Sequence, residues 1–173
     1  MAIALLLTTV LALAGFLATS VQGFAVAAGL SSPFAAKLLM TRHVGMAVPS
    51  VLLSLFSQSM VIFYFIGTGK LVKDEVSGYP EAERGRILRA LSGFKRRTSP
   101  PATFALLSAI GVFVIGGAAH TRFVPAWTHL AASIAAVLLH VWALVAEWRV
   151  FGENTALMND PKAWARRAAA PQS

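Results

Sequence analysis

The stretch from Ala102 to Ala146, "ATFALLSAIGVFVIGGAAHTRFVPAWTHLAASIAAVLLHVWALVA", contains one charged residue, Arg122. A helix needs about 20 apolar residues to cross a bilayer. The stretch is therefore long enough to cross twice, with a short turn around Arg122 between the crossings. Backbone groups in lipid must find their partners within their own segment, so both crossings are read as helices, at about 102–120 and 124–147.

Two further uncharged blocks lie upstream, at about 3–30 and 44–68, and the first charge in the chain is Lys37. The first block lacks the basic start of a secretory signal and is longer than a signal's apolar core, so it reads as a retained helix. The expected fold is an all-α integral membrane protein: a four-transmembrane-helix bundle with short amphipathic surface helices, forming one membrane domain over 1–173. Composition agrees. Hydrophobic residues make up 57% of the chain and charged residues 13%, and mean hydropathy is +0.68. A soluble domain carries about 25% charged residues. Without cysteine there is no disulfide, thiolate metal site or thiol catalysis.

The net charge of +8 is clustered between apolar blocks. That pattern marks membrane orientation, so a nucleic-acid partner is not expected. Twelve Lys and Arg residues lie in 70–99 and 148–173, against Lys37, Arg42 and Arg122 on the other side. The positive-inside bias puts both termini, the 70–99 loop and the 148–173 tail in the cytoplasm. The expected location is a bacterial inner membrane, with the Arg122 turn facing outward. Lipid and other membrane subunits are the expected partners.

Within the loop, "GYPEAERGRILRALSGFKRR" opens on Pro80 and carries Glu81 and Glu83 in its first turn. That suits a helix start and its dipole. Ile87, Leu88, Leu91 and Phe94 share a face, predicting an amphipathic helix on the membrane surface or a docking face for a partner subunit. "SSPFAAKLLMTR" reads as a short interfacial helix on the opposite side. Pro49 is expected to kink the second span.

Residues seven, eleven and fourteen apart fall on nearly one helix face. The resulting stripes are Thr8, Gly15, Thr19 and Gln22 in span one, and His43, Ser50, Ser54 and Ser57 in span two. Span three has Ala105, Ala109, Val112, Gly116 and His120. Span four has His129, Ser133, Ala136, His140, Ala143 and Glu147. Small and hydroxyl residues let membrane helices pack closely, so these faces are expected to point inward.

All four histidines lie in or beside the spans, where ionisable groups are costly and often functional. The topology brings His43, His120 and His129 to one level, with His140 about 16 Å deeper than His129. Two imidazoles from different helices could clamp haem b or a related tetrapyrrole. His43 with His129 is the first choice of pair, His43 with His120 the second, and His140 a single ligand to a further tetrapyrrole. The eleven-residue spacing of His129 and His140 does not fit the ligand helices of large cytochromes b. Direct binding of Cu, Zn or Fe by His43, His120 and His129 is an alternative. So is a structural role with no cofactor.

Glu147 is a candidate proton or quinone contact, or a salt-bridge partner of Arg149. Gln58 is a candidate hydrogen-bond partner of His140. Trp127, Trp142 and Trp148 read as interface anchors. "GTGK" at 67–70 lacks the spacing of a phosphate loop. No Ser-His-Asp set, carboxylate pair or HExxH motif is present, so independent catalysis is not expected. The function expected is that of a small membrane subunit in an electron-transfer or energy-transducing complex. The alternatives are a cofactor-free anchoring subunit and, third, a small transporter.

Overall fold

A computed structural model describes residues 2–29 and 32–167. Leu30, where the first expected span ends, and 168–173 of the expected tail lie outside the described residues. The elements are α1 (Ala2–Ala27), α2 (Pro33–Glu75), α3 (Glu81–His120), α4 (Ala126–Asn159) and α5 (Pro161–Arg167). The first four are each long and apolar enough to cross a membrane, and no strand occurs among the described residues. The chain is a four-helix membrane protein.

Each long helix packs against its sequence neighbours, and α1 closes the ring against α4. Helices α2 and α4 therefore face each other across the bundle axis. Their inward side chains meet at the centre, and this diagonal brings together His43 with His129 and Ser54 with His140.

Three boundaries differ from the sequence reading, all through the same cause. The expected interfacial helix is the start of α2, which begins at Pro33 and runs unbroken through Pro49 to Glu75. The expected surface helix is the first half of α3, which continues through Pro100 and Pro101 to His120. The expected 70–99 loop reduces to a connection at 76–80. Proline removes a backbone donor and disfavours a helix locally. Here α3 keeps one buried stripe on both sides of its proline pair: Ile87, Leu91, Phe94, Thr98, Ala102, Ala105, Ala109 and Val112. That three-and-four spacing is one continuous helix face, so tertiary packing overrides the local penalty. The apolar face of residues 87–94 does not lie on a membrane surface; it forms part of the core.

The core changes character along the axis. At the basic end, Phe94, Ile87 and Leu91 pack with Val72, Phe151 and Leu157, and α5 adds Ala165. This part extends past the uncharged blocks, where water supplies a hydrophobic driving force of about 1.5–3 kcal/mol per large buried side chain. Within the spans many of the fully buried residues are small: Ala12, Ala105, Ala109, Ala136 and Ala143. Lipid is as apolar as these side chains, so close approach replaces the hydrophobic effect there. The tightest approach is Gly15 against Ser50, where an added Cβ would lie 2.9 Å from the Ser50 Cβ. Outside the bundle, Trp127 and Trp148 are both 69% exposed on α4. They lie about 30 Å apart along the helix, close to the thickness of a bilayer's hydrocarbon core.

Candidate functional site

At the end of the bundle that carries Arg122, the helices enclose a cavity of about 470 Å³. That is within the range of small-molecule and cofactor sites. His43 from α2 and His129 from α4 enter it from opposite corners of the ring, with ring centroids 6.0 Å apart and planes 80° to each other. Each imidazole rests on a glycine of a neighbouring helix. A Cβ on Gly23 of α1 would come within 3.2 Å of His43 Cε1, and one on Gly116 of α3 within 2.8 Å of His129 Cε1. No side chain larger than hydrogen fits at Gly116 without displacing the ring.

His43 Nδ1 lies 2.8 Å from the Thr19 carbonyl oxygen. A carbonyl only accepts, so Nδ1 carries the proton and Nε2 is left with a free lone pair. This backbone anchor is the usual support of a metal-ligating histidine. The Nδ1 of His129 is buried without a hydrogen-bond partner among the described residues. A buried polar atom normally has a partner, so this one marks a place where something is missing or rearranges.

His120, the last residue of α3, lines the same cavity but is exposed at its rim. Among the described residues no three His, Cys, Asp or Glu side chains gather closely enough to hold a metal ion. The expected three-histidine metal set of His43, His120 and His129 is thus not assembled, because α3 ends with His120 outside the inward stripe.

His140 belongs to a different environment. It is fully buried and does not line the cavity, and Phe16, at 4.6 Å between ring centroids, stands beside it at the cavity floor. Both nitrogens are engaged: Nδ1 donates to the Ala136 carbonyl at 2.7 Å, and Nε2 lies 2.6 Å from Ser54 Oγ. Its partner is therefore Ser54 and not Gln58. The register explains this, since Ser54 follows His43 by the same eleven residues by which His140 follows His129. Ser54→Ala strands a buried ring nitrogen and is expected to lower stability by about 1–3 kcal/mol. Thermal unfolding in detergent, compared with an exposed alanine substitution, checks this.

Deeper still, Glu147 is fully buried and accepts a 2.9 Å hydrogen bond from Thr9 of α1. It forms no salt bridge with Arg149; the ion pair found among the described residues joins Arg97 and Glu153. Gln58 reaches the same Thr9 hydroxyl at 3.5 Å. Of the adjacent pair Thr8 and Thr9, Thr9 is the inward one, as Thr19 is further along α1; Thr8 bonds back to Leu5 within its own helix. Past Glu147, buried Asn154 donates to Tyr64 Oη at 3.1 Å and lies 3.4 Å from Thr68 Oγ1. The α4 stripe thus carries a buried polar group every seventh residue: His140, Glu147 and Asn154.

No known protein family, curated protein or solved structure matches this chain.

Proposed function

We propose that the cavity holds a tetrapyrrole, most simply haem b, between His43 and His129, and that the chain is a small electron-carrying subunit of a membrane complex. The supporting observation is the separation of the two rings. A metal–imidazole bond is about 2.0–2.1 Å, which places two ring centroids on opposite sides of one metal about 6 Å apart. The observed 6.0 Å matches that requirement. The free Nε2 of His43 and the unpartnered Nδ1 of His129 supply the donors.

Bound there, the iron would supply one-electron chemistry at a potential set by its ligands and surroundings. This chain's residues fix the His43 ring through Thr19, leave room for both rings at Gly23 and Gly116, and wall the floor with Phe16. His43 and His129 would together hold the iron, which would leave it no room to bind a small-molecule substrate. Electron transfer is the activity this leaves. The clustering of Lys and Arg at the far end supports a cytoplasmic placement of that end, with the cavity toward the outer face.

The test is a reduced-minus-oxidised absorption spectrum of the protein purified from membranes supplied with haem. Soret and α bands are expected at about one tetrapyrrole per chain. Protein that carries no extractable pigment overturns the proposal.

A further inference from the structure

Thr9, Gln58 and Glu147 come together inside the bundle from α1, α2 and α4. Glu147 lies eighteen residues along α4 from His129, so it is about 27 Å from the cavity's ligand pair. All three side chains are fully buried. The hydrogen bonds run in one direction: the Gln58 amide points to the Thr9 hydroxyl, and that hydroxyl donates to Glu147 Oε2. Glu147 Oε1 and Gln58 Oε1 are both buried with no donor.

Among the described residues, no Lys, Arg or His forms an ion pair with the carboxyl. Helix α1 has no charged residue, and α2 has none between Arg42 and Lys70. From α3, Lys95 lies against Gly69 and Arg97 is paired with Glu153. On α4 itself, Arg149 is two residues away and therefore about 200° around the helix, and His140 is held by Ser54. A bare carboxylate inside such a bundle carries the full cost of a buried unpaired charge. One added hydrogen resolves both defects, because a protonated carboxyl is itself a donor.

We propose that Glu147 is a membrane-embedded proton-carrying site, formed with Thr9 and Gln58, that binds and releases a proton within the basic half of the bundle. Thr9 holds one carboxyl oxygen, and Gln58 offers the acceptor for the proton on the other. Asn154, with Tyr64 and Thr68, continues the polar line toward the basic end. The site shares no residue with the His43–His129 cavity, so it does not rest on the tetrapyrrole reading.

Infrared spectroscopy of the full-length protein in sodium-free lipid vesicles near neutral pH tests it. The wild type is expected to show the carbonyl stretch of a protonated carboxyl. Glu147→Gln should lack that band. Thr9→Val, which keeps the carboxyl but removes its donor, should shift it, so the result does not depend on Glu147→Gln folding well. Identical wild-type and Glu147→Gln spectra in the protonated-carboxyl region overturn the proposal. Loss of the band on adding sodium chloride also overturns it, because the oxygens would then be holding a metal cation.

Discussion

Replacing His43 or His129 with alanine is expected to abolish stable tetrapyrrole binding, while His120→Ala and His140→Ala leave it in place. The difference follows from where the four rings point. His43 and His129 are the two that meet across the α2–α4 diagonal, with ring centroids 6.0 Å apart. His120 is exposed at the rim, and His140 already uses both nitrogens on Ser54 and Ala136. Even partners one step removed from a metal cost about 10–100-fold in affinity when lost, so removing a ligand should exceed about tenfold. Gly116→Val belongs with the ligand substitutions although it removes no ligand atom. Its Cβ would lie 2.8 Å from His129 Cε1 and force the ring away. Pigment bound per chain after detergent purification is the measurement. Equal loss across all four histidine variants would mean that stability, and not ligation, is being read.

The second large effect is structural. Phe94→Ala is expected to cost about 3–5 kcal/mol, the range for a buried phenylalanine truncated to alanine. Phe94 is 2% exposed and packs in the part of the bundle beyond the uncharged blocks, where burial is expected to have its full hydrophobic value. Phe104, only ten residues further along the same helix, is 51% exposed on the outer surface of the spans. Phe104→Ala should change stability little. Thermal unfolding of both variants in the same detergent separates a helix built into the core from one lying on a membrane surface. A surface helix would make Phe94→Ala the mild substitution in detergent.

These two results draw on different levels of legibility. The four spans are readable because each is an uncharged apolar block of the length a bilayer demands, longer than the apolar runs of a water-soluble helix. Inward faces are readable on α2, α3 and α4, where Ser50, Ser54, Ala105, Ala109, Ala136 and His140 are all buried. Helix continuity through Pro100 and Pro101 is not readable from those residues alone. It depends on Ile87, Leu91 and Phe94 finding Val72, Phe151 and Leu157, which are distant in sequence.

Two of the differences at the site do have a signal in the pattern itself. Glu147 sits on the inward stripe of α4, and Arg149 points about 200° away, so their pairing conflicts with helix geometry. Levelling His43 with His129 also levels Ser54 with His140, since both steps are eleven residues. The inward choice of Thr9 over Thr8 has no comparable signal. It depends on how α1 is rotated against α2 and α4, which long-range packing decides.

Electron paramagnetic resonance of the oxidised, natively purified protein probes the His43–His129 pair most directly. Iron between two imidazoles is low-spin, and ring planes near perpendicular, 80° apart here, make its signal strongly anisotropic. A highly anisotropic low-spin signal that disappears in both His43→Ala and His129→Ala is the expected result. A high-spin iron signal, or no iron signal from folded wild-type protein supplied with haem, would contradict it.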